Sequence, residues 1–502
     1  MLCRQRWDVK VMGYNTHKTI VATMGYTMTT EFFPVPEWVS DAVFYQIFPD
    51  RFCKSSKNPQ VAAFAPWGSI PTQHCYMGGD LYGIEVQIPY LKEIGITALY
   101  LTPIFVSASN HRYHTDDYYH VDPLLGGDAA FRSLLDKAHA AGIKIILDGV
   151  FNHCGRGFWP FHHVLENGAD SPYREWFYID SFPLSPYDDT QPAGYASWQN
   201  IRALPKLNVA YQPVRQFLLD VAVYWIKFGI DGWRLDVPNE ITDHSFWRDF
   251  RVAVKRANPD AYIVGEIWDD ATPWLDGTQF DAVMNYPVRT LMVDFFAKRD
   301  IGVHAFTAGI EHELQRYARD HVQTAFNVMS SHDTERFLTL AQGNVEQLKT
   351  AMLFVMTYVG APCIYYGDEI GLKGGNDPLN RAAFDWNVQH WNQGLREWVR
   401  TCVALRQRFA ALRQGRLMLI HARESGRTLA YARMLDREIL VVALNASDDD
   451  AALDILLSGL GIDDEMLLHD QLSAWSYVVT NQRIQRVKVP AHGGAVLLVA
   501  RR

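Results

Sequence analysis

The sequence predicts an α/β protein: a (β/α)8 barrel of the TIM type, with an inserted domain after its third strand and a C-terminal antiparallel β-sandwich domain. Three observations predict it. Eight short apolar or β-branched runs alternate with helix-periodic segments, and eight parallel strands close such a barrel. The alternation breaks once, at an irregular, aromatic, Pro- and Gly-rich stretch between Phe151 and Pro205. From about Leu417 the helical segments give way to short alternating runs, the pattern of an antiparallel β-domain.

In chain order, the strand candidates are Ala42 to Ile47, Ala98 to Leu101, Ile143 to Leu147, Asp231 to Leu235, Ala261 to Val264, Phe280 to Met284, Thr324 to Met329 and Cys363 to Tyr366. The stretch HCGRGFWPFHHVLENGADSPYREWFYIDSFPLSPYDD follows the third and projects from the face where barrel active sites sit. Four later runs, LMLIHARE, TLAYARML, REILVVALN and AVLLVARR, supply the sandwich. The expected divisions are a short N-terminal extension (1–40), the barrel (41–150 and 205–400), the inserted domain (151–204) and the sandwich (405–502). Met24 and Met28 are alternative starts, so about 27 residues read as a poorly ordered extension.

Composition narrows the partners. A hydrophobic fraction of 48% supports packed cores, and a net charge of -9 with scattered Lys and Arg offers neither a basic stripe for nucleic acid nor a polybasic membrane patch. Cys3, Cys53, Cys75, Cys154, Cys363 and Cys402 show no C-x-x-C spacing and read as free thiols of a reducing compartment. No signal-peptide core is present, and no apolar run approaches the ~20 residues of a membrane span. The chain reads as cytoplasmic, acting on a neutral partner.

Chemistry belongs at the C-terminal ends of the strands. The third run leads into Asp148-Gly-Val-Phe-Asn152-His153, the fourth into Arg234-Leu-Asp236, the fifth into Gly265-Glu266-Ile267-Trp268 and the seventh into Ser331-His332-Asp333. Strand alternation puts Arg234 and Asp236 on one face, away from Trp233 and Leu235. A single Arg-x-Asp reads as a buried ion pair. Four such endings in register bring three carboxylates, an Arg and two His to one mouth, which ion pairing alone does not explain. Two carboxylates flanking a sugar bond are what glycoside hydrolysis requires.

In order and spacing these endings resemble the signature regions of the α-amylase family of retaining glycosidases (glycoside hydrolase family 13). The resemblance runs from Asp41-Ala-Val-Phe-Tyr-Gln-Ile-Phe-Pro-Asp-Arg-Phe52 through the barrel to the C-terminal β-domain. It implies that Asp236 is the nucleophile, kept ionised by Arg234, and Glu266 the acid that then becomes the base. Asp333 would grip the sugar hydroxyls, with His153 and His332 bonding the same sugar, Tyr113 stacking beneath it, and Asp148 and Asn152 as supports. Leu204-Pro205-Lys206-Leu207-Asn208, Val237-Pro238-Asn239-Glu240 and the run from Glu266 to Tyr286 resemble the neopullulanase, cyclomaltodextrinase and maltogenic amylase subgroup. Trp268 closely follows the acid on a mouth-facing loop and is expected beside the leaving-group sugar; by the same resemblance, Asp377 and Arg381 contact the glucose one subsite further from the cut. The implied reaction is hydrolysis of α-1,4-glucosidic bonds in cyclodextrins, maltooligosaccharides or pullulan through a covalent glucosyl-enzyme, with some transglycosylation. An α-glucosidase or sugar-isomerising enzyme would use the same trio; a silent amylase-like binding scaffold would not need it intact.

Two departures shape further expectations. The subgroup's extra N-terminal β-domain is not expected in the 40 residues before the first strand, so the chain should be a monomer or a dimer not built on that domain. The family's calcium loop is here Cys53-Lys-Ser-Ser-Lys-Asn58-Pro, whose two lysines oppose the cation. No cofactor is expected; of the two occupants open to this loop, a calcium ion and the ammonium of Lys54 or Lys57 paired with Asp80, the lysines favour the second. Trp159, Phe161, Trp176 and Tyr178 are candidate sugar platforms within the insertion, most of them expected in its core.

Overall fold

Parallel strands covered on both faces read as continuous apolar runs rather than alternating ones, and the barrel strands follow that rule. In the computed structural model, which describes residues 33–58 and 64–500, β1 (Phe44–Ile47) and β2 (Ala98–Leu101) are buried throughout. A hairpin absent from the sequence reading comes next: β3 (Phe105–Ser107) pairs antiparallel with β4 (Thr115–Val121), and the loop between them carries Tyr113. The barrel resumes with β5 (Lys144–Gly149), β6 (Gly232–Leu235), β7 (Tyr262–Gly265), β8 (Ala282–Val283), β9 (Phe326–Val328) and β10 (Ala361–Tyr365).

All eight barrel strands run parallel in the order β8-β7-β6-β5-β2-β1-β10-β9, and a parallel bridge from Met284 to Phe326 closes the ring. Strand alternation sorts their side chains into two cores. Phe44, Tyr100, Ile146, Val264, Phe326 and Val328 fill the barrel interior. Their neighbours Tyr45, Leu99, Leu101, Ile145, Leu147 and Trp233 pack outward against the helices. In the helix Gln212–Phe228, Val214, Leu218, Val221, Ala222 and Trp225 form one buried stripe at helical spacing. Arg234 is in register with Val264, and therefore points into the barrel.

After β5 the chain leaves the barrel for the inserted segment. Bridges from His153 to Lys206 and from Ser197 to Pro205 tie its two arms together, over a small core of Phe161, Phe177 and Tyr195.

The C-terminal region has eight strands, four of them unpredicted. β11 (Arg416–Arg423), β12 (Thr428–Leu435) and β13 (Glu438–Asn445) form a meander, followed by β14 (Ala451–Leu456), β15 (Leu467–Asp470), β16 (Ser476–Val478), β17 (Arg483–Val489) and β18 (Gly493–Ala500). The antiparallel order is β11-β12-β13-β18-β15-β16, and β14-β17 forms a second sheet over Ala430, Val441, Ile455, Ile484 and Leu497. Thr357 and Tyr431 share a 2.6 Å hydroxyl bond across the seam with the barrel. Among the described residues no helix is long and apolar enough to cross a membrane. Most of the expected N-terminal extension, and Cys3, lie outside the described residues.

Candidate active site

Inside the mouth, one guanidinium organises the chemistry. Arg234 Nη1 donates to Asp148 Oδ1 and Asp236 Oδ1, each at 2.8 Å. Its Nη2 is 2.9 Å from Glu266 Oε2 and 4.0 Å from Asp333 Oδ2. Four carboxylates from four separate strand ends thus surround one cation. Arg234 itself is 1% exposed, which removes water as a competing partner.

The loop after β6 is strained to fit. Val237, a β-branched residue followed by proline, is held at φ 37° and ψ 49°, in the left-handed region such a residue avoids. In that conformation its N–H donates to Glu266 Oε2 at 3.1 Å, while the Trp268 indole donates to Oε1 at 3.2 Å. The Trp268 ring lies flat on Tyr286, 3.7 Å between centroids, and remains 45% exposed.

Tyr113 and His332 form the opposite wall. The two rings stack within 5° of parallel, and the tyrosine hydroxyl reaches His332 Nε2 at 2.5 Å and donates to Asp148 Oδ2 at 2.8 Å. Tyr100 also donates to Asp148 Oδ2, at 2.6 Å, so Asp148 accepts three strong donors; burial still leaves its carboxyl above the ordinary range, and those donors limit the rise. Gln46 on β1 bonds the other nitrogen of His332 at 2.7 Å. Asn380 gathers the carbonyls of Ser331, His332 and Thr334, setting the loop that carries Asp333.

The charges are unevenly compensated. Burial pushes the Asp236 carboxyl well above its usual range, with Glu266 and Asp148 adding to the rise and Arg234 opposing it. Withdrawal from bulk water, then the charge of Glu266, raises Asp333 to about 7, although 28% of its side chain meets solvent in the open cleft. Burial lowers His153 to about 3 and His332 well below the imidazole range, so both are neutral. His153 Nε2 has no hydrogen-bond partner and lies 3.9 Å from Asp236 Oδ2, leaving a buried polar atom for a ligand to satisfy.

Tyr113, His153, Asp236, Glu266, Trp268 and Asp333 line a cleft of about 530 Å3 that also holds Asp377 and Arg381, while Arg234 and His332 lie behind this lining and bond to it. Arg381 Nη1 pairs with Asp377 at 3.1 Å, its Nη2 is 3.5 Å from Asp333, and its Nε donates to the His332 carbonyl at 2.8 Å. The structure therefore brings together Tyr113, His153, Arg234, Asp236, Glu266, Trp268, His332, Asp333, Asp377 and Arg381.

Sequence reasoning missed the aromatic wall that the insertion supplies. Trp159, Phe161, Trp176 and Tyr178 do not line the cleft: Phe161 is fully buried, Trp176 packs on the core, and Trp159 and Tyr178 are exposed elsewhere. Trp198 lines it instead, stacked on His153 with centroids 5.5 Å apart, in a turn where Gln199 and Asn200 take positive φ. Its place just upstream of Leu204-Pro205-Lys206-Leu207-Asn208 was the available signal. His111, His114, Gln199, Ile201, Leu204, Val237, Asn239 and Glu240 also line it.

The expected lysine pairing at Asp80 is overturned. Asp80 Oδ1 caps the helix Leu81–Val86 through Gly83 N–H at 2.7 Å, and Oδ2 accepts Ser55 N–H and Oγ at 3.0 and 3.1 Å. Lys57 pairs with Glu85 at 3.4 Å, and Lys54 lies over the Trp67 ring. Both carboxylate oxygens are occupied by local donors, an arrangement that does not fit a calcium ligand. Among the described residues no group of three or more His, Cys, Asp or Glu is placed to hold a metal ion.

Comparison with known proteins agrees with this geometry. Residues 46–410 match the family described as alpha amylase, catalytic domain. The chain is 46% identical over 434 residues to a cyclomaltodextrinase of Geobacillus thermopakistaniensis, covering 86% of this chain and 73% of that one. It is 44% identical over 430 residues to neopullulanase 2 of Thermoactinomyces vulgaris, covering 85% and 73%. The solved structure of a debranching enzyme from Nostoc punctiforme matches with a TM-score of 0.84 at 42% identity, over 93% of this chain and 99% of that one. A barrel with its carboxylates gathered at the mouth, matched over most of its length by named glycosidases, places the chain in the α-amylase family of glycoside hydrolases.

Proposed function

We propose that this protein is a retaining α-glucan hydrolase that cleaves α-1,4-glucosidic bonds of cyclodextrins, maltooligosaccharides or pullulan through a covalent glucosyl-enzyme. The observation that carries this reading is the placement of Asp236 and Glu266 on the two terminal nitrogens of Arg234, at 2.8 and 2.9 Å. Two carboxyls on one guanidinium suit the separation of about 5 to 5.5 Å that retention needs, rather than the roughly 6.5 to 9.5 Å of an inverting pair.

Asp236 attacks the anomeric carbon while Glu266 passes its proton to the departing glycosidic oxygen. Water, deprotonated by Glu266, then attacks the same carbon and releases Asp236. Arg234 favours the charged nucleophile against burial, and the carboxyls titrate as a set rather than singly. Asp333, protonated near neutrality, can donate as well as accept at the sugar hydroxyls. His153 Nε2 and His332 join it, and Tyr113 supports the ring. A sugar resting on the exposed indole of Trp268 can take the glucosyl group in place of water, which is transglycosylation.

Residues 41–150 and 205–400 are assigned to the catalytic barrel, 151–204 to the inserted domain and 405–502 to the sandwich. Unpaired thiols at all five described cysteines support a reducing, cytoplasmic location.

Proton NMR of the first-formed sugar tests the mechanism: the α-anomer is expected, and a β-anomer overturns it. Chromatography of products from cyclodextrin, pullulan, starch and maltose, each supplied alone, ranks the substrates.

A further inference from the structure

Just after β1 the chain buries a guanidinium that takes no part in the chemistry described above. Arg51, in the short helix Pro49–Phe52, is 1% exposed, and all three of its nitrogens are engaged. Nε donates to Asp50 Oδ2 at 2.6 Å, Nη1 to the Arg381 carbonyl at 2.8 Å and Nη2 to the Cys75 carbonyl at 2.8 Å. The Arg51 carbonyl also accepts the Phe384 N–H at 2.7 Å, so the segment that carries Arg381 is gripped at two points. Asp50 in turn accepts the N–H groups of Met77 and Gly78 at 2.9 and 3.0 Å. A Cβ on Gly79 would stand 2.3 Å from the Pro49 carbonyl oxygen, so the three segments meet at backbone contact.

This junction lies where two cavities join. A second cavity, of about 410 Å3, shares His111, His114, Asp377 and Arg381 with the catalytic cleft, and Arg51 forms part of its wall. A side chain so deeply buried and so fully bonded has little to offer a sugar directly. What it sets is Arg381, whose Nη1 pairs with Asp377 at 3.1 Å. Both guanidiniums lie by the ring of Phe48, 5.5 Å from its centroid for Arg51 and 5.6 Å for Arg381, which restricts where either can swing. The planar fork of an arginine can serve two carbonyls on separate segments while its third nitrogen meets a carboxylate; a lysine presents one nitrogen and cannot span them.

We propose that Arg51 is a positioning residue for the second glucose subsite: it holds the Arg381 backbone so that the Asp377–Arg381 pair faces the sugar next to the one being cleaved. The assignment rests on the α-glucan reading of the catalytic cleft.

Steady-state kinetics of the full chain on maltotriose and on a short aryl α-glucoside test it. Arg51→Lys keeps the charge beside Asp50 but gives up the fork. It is expected to raise KM for maltotriose about five- to tenfold with kcat within about twofold, the scale of one lost charge-assisted hydrogen bond. KM for the aryl glucoside should move less than about twofold, because that substrate occupies only the site of cleavage. In an Arg381→Ala background the same substitution should add less than about twofold on maltotriose, since its effect runs through a guanidinium already gone. Asp50→Asn/Arg51→Gln, which leaves no buried charge unpaired, should repeat the lysine pattern and decides the matter if the lysine protein fails to fold. An unchanged maltotriose KM overturns the proposal. So do equal losses on the two substrates, or full additivity with Arg381→Ala, either of which would make Arg51 a support of the fold alone. If the parent does not cleave maltotriose, the α-glucan reading falls and the assignment with it; a cleaving parent with unaltered Arg51→Lys kinetics overturns the assignment only.

Discussion

The two ends of the barrel both bury charge, and they do so in opposite ways. At the mouth, Asp148, Asp236, Glu266 and Asp333 crowd around Arg234, and burial drives Asp236 well above the carboxylate range. At the far end, Asp281 just before β8 accepts from Arg251 at 2.7 Å, from Lys255 at 2.9 Å and from the Ile263 N–H at 2.9 Å. Asp231 just before β6 is similarly held by Lys144, His139 and the Ile145 N–H. Burial alone would raise Asp231, but those three donors outweigh it and leave its carboxyl below the ordinary value. Complete pairing marks a charge that builds the fold; an excess of one sign with unsatisfied atoms marks a charge kept for chemistry.

The sharpest break in this contrast comes from removing one carboxylate at each end. Asp236→Asn, Glu266→Gln or Asp333→Asn should each lower kcat/KM on maltotriose by about 10^3-fold or more. Each should melt at or above the parent temperature, because like charge is relieved. Asp281→Asn should do the reverse: it strands Arg251 and Lys255 without a counter-ion, costing about 3 to 5 kcal/mol, while the folded fraction keeps the parent kcat. Chemical denaturation and steady-state kinetics on the same preparations check both, and a destabilised Asp236→Asn protein would erase the distinction.

A smaller effect lies in pH. Asp333 binds its proton more tightly folded than unfolded, with its carboxyl raised from 3.8 to about 7. Its share of stability is therefore full below the unfolded value and falls away as pH rises through about 7. Asp231 is lowered, so its share is present above the unfolded value and lost on acidification. The melting temperature should decline from mildly acidic to neutral pH, and Asp333→Asn should flatten that decline. A slope unchanged by the substitution would detach Asp333 from the cluster.

Smallest is the second-subsite effect. Asp377→Ala should reduce kcat/KM for maltotriose and cyclodextrin by about five- to tenfold, and leave a short aryl glucoside nearly untouched. Asp377 is the cleaner probe, because Arg381 also touches Asp333 and the His332 carbonyl and its loss would disturb the cut site itself. Equal losses on both substrates would make the pair structural.

The barrel and the cluster were legible because both follow from short-range pattern. Asp148, Arg234, Asp236 and Glu266 sit on or within a residue or two of an apolar run, where strand alternation indicates the side to which they point, whereas Tyr113, Asp377 and Arg381 lie on loops and were legible only from the motif resemblance. Gln46 on β1 obeys the same rule and was readable in principle. Trp198 was not, because its position depends on how the inserted segment folds back through the His153 and Ser197 bridges, contacts some 50 and 8 residues apart. The Asp80 assignment failed for a related reason: the two lysines in a loop placed like the family's calcium loop suggested a cation, but loop geometry delivered amide and hydroxyl donors first. The unpredicted β15 and β16 are four and three residues long, too short to show a period.

The closure of the barrel also sets when this molecule becomes an enzyme. Strand β1 lies between β2 and β10, pairing Phe44 with Cys363, and the Tyr45 hydroxyl bonds Glu369 at 2.7 Å. During synthesis the first strand waits with one edge bare until more than three hundred further residues have been made, and a ring with so distant a join closes slowly. Asp148, Arg234 and Asp236 are made well before His332 and Asp333, and Asn380, which shapes the last of these loops, follows later still. A ribosome-bound chain stopped just short of β10 would therefore hold all four carboxylates of the cluster and none of the activity, with an open sheet edge for a chaperone to shield.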